Sequence, residues 1–357
     1  VRVELAPGYS ISRIIKGSWQ LAQGHGTAAR VAEPHADMAA FVDAGITTFD
    51  CADIYTGVEE LIGSFKPPSG RTVQVHTKYV PDLAALATVD AVDVGSLIDR
   101  SRTRLRRSSL DLVQFHWWDY SVPRFVEVAK FLDALRLEGA IRHLGVTNFD
   151  TPRLRAILDA GIQVVSHQVQ YSLLDRRPAG VMSTLAAERG FKFLCYGSLL
   201  GGFLSERWLN VPEPEEPFEN RSLTKYKLII DEAVGWAGFQ SLLQTVHHIA
   251  LKHRVSIGAI GIAWVLAQPH VAAAIVGARN ASHLKGTLAA IEIPLDPADL
   301  APLNEGSGRG IAGDVYDRER DRNGPHGRIM RYNLTLRGPD PAPAPLGTPG
   351  LRSARDS

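Results

Sequence analysis

Cysteine is nearly missing from this chain: two in 357 residues, Cys51 and Cys195, each inside an apolar stretch. Two thiols cannot build a disulfide framework or a cysteine-rich zinc site, and buried thiols of this kind suit a reducing cytoplasm. An excess of charge of one sign is missing too. Lysine and arginine number 39 against 38 aspartates and glutamates, a formal net charge of +1. Without a basic stripe or a base-reading motif, the chain lacks the electrostatic footprint that nucleic-acid binding requires. Long apolar runs are also lacking. The most apolar helical stretch, 257–267, is broken at Gln268-Pro269-His270, well short of the roughly 18 to 20 residues that cross a bilayer. The first residues carry no charged segment followed by an apolar core and a small-residue cleavage site. The expectation is a cytoplasmic protein with neither nucleic acid nor membrane as partner. The sequence leaves its oligomeric state open.

What is present is a large core and a repeat. With 45% hydrophobic and 22% charged residues, the composition is that of a globular chain. Short β-rich runs alternate with helical periodicity, the pattern of βα units on a parallel sheet. Strands are expected at 14–17, 46–49, 72–77, 111–115, 141–146, 163–169, 192–195 and 271–276, with helices including 92–107, 125–138, 152–158 and 180–188. Eight such units predict a (β/α)8 TIM barrel over 1–305. Ahead of the barrel, two short apolar runs around Pro7-Gly8 read as a capping hairpin. The proline-rich stretch within 199–227 reads as a long functional loop. A Gly- and charge-rich C-terminal extension over 306–337 is expected at the barrel mouth, and 338–357, with five prolines, is expected to be disordered.

In such a barrel the site forms where strands end, so the residue after each apolar run matters most. Those residues are Asp50, Lys78, His116, Thr147-Asn148, Tyr196 and Gly277-Ala278-Arg279, with Gln168 in the last part of its strand and Tyr55 in the loop after Asp50. A carboxylate, an amine, an imidazole and a phenol aimed at one mouth form a titrating constellation. The runs Thr48-Phe-Asp50-Cys-Ala-Asp-Ile-Tyr55, His76-Thr-Lys78, Gln114-Phe-His116, Gly145-Val-Thr-Asn148-Phe, Gln168-Val-Gln-Tyr171 and Gly277-Ala-Arg279-Asn resemble, in this order, the motifs of the aldo-keto reductase superfamily.

The resemblance implies an NAD(P)H-dependent reduction of an aldehyde or ketone by hydride transfer. It makes Tyr55 the general acid, Lys78 and Asp50 its support, and His116 the group that orients the carbonyl. An ammonium beside Tyr55 favours the phenolate and eases proton donation, and His116 is expected to donate to the substrate oxygen. For the cofactor, NADP with NAD as the alternative, the resemblance implies that Thr147, Asn148 and Gln168 hold the carboxamide and that Tyr196 stacks on the nicotinamide. Gly197, Leu199 and Gly201 then belong to the loop that folds over the pyrophosphate, and Gly277, Arg279 and His283 to the adenosine end, where a helix is expected to start near Asn280. Common members carry a Lys at the position of Gly277, an Arg at that of His283 and an Asn at that of Thr287, so cofactor choice is less firmly implied than the reaction. Trp19 and Trp117 are expected to line the substrate pocket.

No metal is expected. His247, His248 and His253 read as a solvated helix face, and Gly24-His25-Gly26 as a βα loop instead of a dinucleotide fingerprint. Two rival readings accompany the reductase: a barrel lyase in which Lys78 forms a Schiff base, disfavoured by Asp50 beside it, and a non-enzymatic NADP-binding redox sensor, disfavoured by the retained catalytic set.

Overall fold

The computed structural model describes residues 2–22, 33–278, 280–308, 310–311 and 313–330. Strands β1 (Arg2–Ala6) and β2 (Tyr9–Ser12) pair antiparallel. Gly8 makes the turn between them at φ 71°, a left-handed conformation costly for side chains with a Cβ. Eight parallel strands follow: β3 (Ile14–Gly17), β4 (Thr48–Asp50), β5 (Gln74–Tyr79), β6 (Leu112–Phe115), β7 (Leu144–Thr147), β8 (Ser166–Gln170), β9 (Lys192–Tyr196) and β10 (Val271–Gly277). They close in sequence order, with β10 bonded to β3. The fold is the (β/α)8 barrel that the strand count implies.

The hairpin closes the end where the strands begin. Arg2 donates to Thr47 Oγ1 at 2.6 Å and Gln74 Oε1 at 2.8 Å, at the starts of β4 and β5. Leu5, Tyr9 and Ile11 pack there on Ile15, Leu112, Leu194 and Ile275 inside the barrel. That apolar plug leaves the opposite end, where the strands finish, to carry chemistry. Helix starts are fixed by side-chain caps: Asp90 forms a capping box with Asp93, and Asp150 and Ser256 accept from the Arg153 and Ala259 amides.

Several strands begin and end later than the apolar runs suggest. Asp50, Lys78, Thr147 and Tyr196 lie inside strands, not after them, and Gln168 lies within its strand as expected. Their polar side chains find partners at that level: Lys78 and Gln168 donate to Asp50, the Thr147 hydroxyl to the Gln168 carbonyl and the Tyr196 hydroxyl to Asn148 Oδ1.

Two sequence expectations need correcting. The stretch 199–227 is not loop throughout: helix Arg221–Ala233 begins within it, its first turn capped by Asn220 Oδ1 from the Leu223 amide at 3.1 Å. Nor does a helix start near Asn280. Asn280 Oδ1 accepts from the Ser282 amide and hydroxyl, forming a turn, and the helix runs over Leu284–Ala289 with exposed His283 before it. The Asn side chain competes with the backbone for the Ser282 amide, which delays the helix.

The C-terminal extension is folded as far as it is described. Asp314 accepts from the Thr151 amide at 2.7 Å and hydroxyl at 2.9 Å, and Arg320 reaches Asp150 at 3.2 Å. His326 Nε2 lies 3.1 Å from Glu232 on helix Arg221–Ala233. Residues 313–330 therefore form a strap over the loops that follow β6 to β9. The tail 338–357, Gly24-His25-Gly26 and Arg279 lie outside the described residues. No single described helix is long and apolar enough to cross a membrane.

Candidate active site

Asp50, at the end of β4, is the hub. Its Oδ2 accepts from Lys78 Nζ at 2.7 Å, and its Oδ1 accepts from Gln168 Nε2 at 2.6 Å and Gln114 Nε2 at 3.0 Å. Gln168 also donates to Gln114 Oε1 at 2.9 Å. Adjacent strands bring these groups to one level, since β4 pairs β5 and β5 pairs β6, with Lys78 opposite Gln114. A buried carboxylate with three such donors is well satisfied. Gln114 escaped the sequence reading as a functional residue although it stands in the motif with His116. Its signal was an amide inside an otherwise apolar strand. Both N–H groups of Gln168 are committed, which leaves its carbonyl oxygen for a ligand.

Lys78 also donates to the Cys51 carbonyl at 2.7 Å, and its ammonium lies 5.1 Å from the Tyr55 ring centroid. Burial alone would lower the Lys78 pKa, but Asp50 and Tyr55 outweigh it and raise it above the ordinary lysine value. Lys78 is therefore an ammonium, which a Schiff-base mechanism cannot use as nucleophile. For Tyr55 the balance goes the other way from the sequence expectation. Desolvation raises its pKa more than Lys78 lowers it, so the phenol holds its proton firmly. Lys78 moderates that rise; it does not reverse it.

His116 follows β6. Its Nδ1 lies 3.1 Å from the Thr147 carbonyl, and a carbonyl only accepts, so Nδ1 carries the proton. Burial lowers the His116 pKa to about 4 despite the Thr147 bond, with Arg320 and Lys78 adding to the effect. The neutral ring then presents Nε2 as an acceptor, and that atom is buried without a partner. Donation from His116 to a carbonyl oxygen, expected from the resemblance, would need the doubly protonated ring that its surroundings oppose. The ring is held edge-on by Trp118 at 4.2 Å and by Tyr316 of the strap at 5.4 Å.

Of the two tryptophans expected at the pocket, Trp19 is at the site, its ring 4.8 Å from Tyr55. Trp117 is not: it is fully buried, donating to the carbonyls of Asp119 and Val122 and packing edge-on against Phe115. As the chain leaves β6, Trp118 meets the His116 ring while Trp117 packs on Phe115 in the core.

The residues expected at the cofactor are partly assembled. Tyr196 donates to Asn148 Oδ1 at 2.9 Å, and the Thr147 hydroxyl donates to the Gln168 carbonyl at 3.2 Å. Gly197 and Gly201 have positive φ, but the space where a Cβ would sit is filled by Tyr226, its nearest atom 2.4 Å away at Gly197 and 2.6 Å at Gly201. Leu199 is half-buried beside them. At Gly202, by contrast, nothing lies within 4 Å of the Cβ position. Gly277 is required for another reason: the Gln20 amide lies 2.0 Å from its Cβ position, so a lysine there would displace Gln20. Among the described residues, Ser18 Oγ, Gln20 Oε1, His116 Nε2 and Ser198 Oγ are buried at strand ends without hydrogen-bond partners. Such orphaned polar atoms at one mouth fit a polar ligand, and the open backbone at Gly202 fits a close-lying phosphate. The residues present thus suit a nicotinamide dinucleotide.

A model of the aldo/keto reductase family matches residues 13–306. Flagellar radial spoke protein 5 of Chlamydomonas reinhardtii is 28% identical over 256 residues, 60% of this chain and 48% of that protein, so the chain spans about half the length of this relative. Aldo-keto reductase yakc [NADP(+)] of Schizosaccharomyces pombe is 25% identical over 279 residues, 74% of this chain and 79% of that one. In structure, the thermostable aldo-keto reductase Tm1743 superposes with a TM-score of 0.67 at 25% identity, covering 86% of this chain and 99% of that chain. A closed barrel whose strand ends gather Asp50, Lys78, Tyr55 and His116, together with a family match across most of its length, leads to one conclusion: the chain belongs to the aldo/keto reductase family.

Proposed function

We propose that this chain reduces the carbonyl of an aldehyde or ketone to an alcohol with a nicotinamide cofactor, Tyr55 supplying the proton. The observation that carries this reading is the Asp50–Lys78 pair at 2.7 Å with its ammonium against the Tyr55 ring. When bound, the cofactor supplies hydride to the carbonyl carbon. Tyr196, Asn148 and Gln168 would hold its nicotinamide end, and the loop through Gly202 its phosphates. As negative charge gathers on the substrate oxygen, the phenol of Tyr55 gives up its proton, and Lys78 stabilises the phenolate that remains. Asp50 keeps Lys78 charged and in place. His116 Nε2 accepts from the new hydroxyl, so it orients the alcohol side of the reaction. Trp19, Trp118 and Tyr316 supply aromatic walls. Following cofactor absorbance across a panel of aldehydes and ketones tests the reading, and wild-type protein that binds cofactor yet turns over no member of a broad panel would favour the redox-sensor alternative.

The titrating groups give this reaction a pH signature. With the His116 pKa lowered to about 4, the ring is neutral throughout the neutral range. With the Tyr55 pKa raised, the acid stays loaded there as well. For reduction, kcat/KM should be level from about pH 5.5 to 8, with no step near the ordinary histidine value of about 6.5. A pH–rate profile that steps there, and loses the step in His116→Asn, would show that His116 does titrate as a donor.

For the cofactor we favour NADP, a reading supported by the cation at Arg279 and by the name of the relative yakc. His283 stands exposed ahead of the short helix in the same segment. Arg279→Ala should weaken NADP binding by about 1.5 to 3 kcal/mol while barely changing NAD binding. Equal losses for both cofactors, read by fluorescence titration, would move Arg279 from the 2′-phosphate to the pyrophosphate or to the fold.

A further inference from the structure

Lys225 is a cation at the mouth that the chemistry above does not use. It lies on helix Arg221–Ala233, in the segment between β9 and β10. Its Nζ is 5.2 Å from the ring centroid of Tyr196 and 5.8 Å from that of Tyr226. The carboxylate answering it belongs to the strap: Glu319 Oε1 is 3.7 Å away. Glu319 is gripped in turn by both terminal nitrogens of Arg177, at 2.9 and 3.1 Å, and Arg177 pairs with Asp175 at 2.7 Å. Two cations and two anions thus form one cluster, and Lys225 is the member that reaches Tyr196. Burial lowers the Lys225 pKa and Glu319 opposes that, while two aromatic faces hold the amino group in position.

We propose that Lys225 biases the site toward the reduced over the oxidised nicotinamide cofactor, its ammonium opposing the positive charge of the oxidised ring. The inference rests on the reading of Tyr196 as the surface on which the nicotinamide stacks. A heterocycle stacked on Tyr196 shares that phenol with Lys225. NADP+ and NADPH have the same phosphates, riboses and adenine; they differ by one hydride, and so by the charge of the ring. Repulsion between the ammonium and a cationic ring is stronger at a partly buried site than in water, while the neutral dihydronicotinamide escapes it. Glu319 offsets part of the Lys225 field, so neutralising Glu319 should enlarge the bias and removing Lys225 should shrink it. Two changes of opposite sign follow from one cluster.

The test is to titrate NADPH and NADP+ separately into the full chain, reading tryptophan fluorescence, for wild type, Lys225→Met, Lys225→Arg and Glu319→Gln. Both titrations draw on one preparation, so partial unfolding of a variant cancels from the ratio of the two Kd values. Wild type should bind NADPH more tightly than NADP+. Lys225→Met should cut that ratio by about five- to tenfold, chiefly through tighter NADP+ binding. Lys225→Arg should keep the ratio near wild type, and Glu319→Gln should raise it. An unchanged ratio in Lys225→Met, or the same shift in Met and Arg variants, would overturn the proposal and reduce Lys225 to a packing residue. Wild type that binds neither form would overturn the cofactor reading itself, a result distinct from binding with an unaltered ratio.

Discussion

Replacing Tyr55 by phenylalanine should lower turnover by about 10² to 10⁴ while leaving cofactor affinity nearly intact. The substitution removes one oxygen and little else. Tyr55 is partly exposed at the mouth, its ring lies against Trp19, and its hydroxyl faces Lys78, which keeps its bonds to Asp50 and the Cys51 carbonyl when the phenol is gone. Fold and cofactor site should therefore survive, and the loss should fall on kcat, because proton donation is needed only as charge develops on the oxygen. His116 is poorly placed to compensate, since its neutral ring offers an acceptor to the mouth. Steady-state kinetics with parallel cofactor titration make the comparison. Near-normal turnover in Tyr55→Phe would remove Tyr55 from the mechanism and leave the Asp50–Lys78 pair as a structural feature.

Arg177→Met should cost the fold about 3 to 5 kcal/mol, the largest stability effect we expect from a single residue outside the apolar core. The Arg177 side chain is 2% exposed and lies between Asp175, 0% exposed, and Glu319, 1% exposed. Without it the two buried carboxylates are left with weaker partners: Lys225 at Glu319, and at Asp175 the Gln170 Nε2 at 2.6 Å and the backbone amide of residue 177 at 3.3 Å. The midpoint of urea unfolding measures the loss, and a change under about 1 kcal/mol would mean that water reaches the pair. A pH dependence accompanies it. Burial would raise the Glu319 pKa, but Arg177 and Lys225 overcome that and hold it at about 2 against an ordinary 4.5. A depressed carboxylate stabilises the fold above its unfolded value, so this contribution is complete above about pH 4.5 and drains away as pH falls toward 2. Glu319→Gln should lose that acid-limb dependence.

The two predictions divide along what could be read from the chain. Tyr55 was legible because its neighbours in sequence, Asp50 and the strand that carries it, form a local motif, and because Lys78 and His116 recur where βα units place strand ends. Strand spacing repeats, and a barrel turns that repetition into a ring, so the order of the motifs along the chain already fixed their order around the mouth. Arg177 and Glu319 are 142 residues apart, the first after the strand that carries Gln168 and the second in the charge-rich C-terminal extension. Nothing local marks two such side chains as partners, since the pairing exists only once the strap crosses the barrel. Lys225 and Tyr226 were hidden likewise, because the prolines before Asn220 suggested a loop where a helix begins.

Composition, periodicity and the residue at each strand end thus determined, by themselves, the barrel, its hairpin cap and the Asp50, Tyr55, Lys78, His116 set, since each depends on short-range pattern repeated along the chain. Tertiary structure decided what depends on direction and surroundings. It turned Trp118 toward His116 and set Trp117 against Phe115 in the core, because the path of the chain beyond β6 decides which way each ring faces. It committed Gln168 to Asp50, and it fixed the proton of His116 on Nδ1 through the Thr147 carbonyl. Burial, not sequence, also set the direction of the Tyr55 shift, because desolvation and the Lys78 charge oppose each other and only packing determines which prevails.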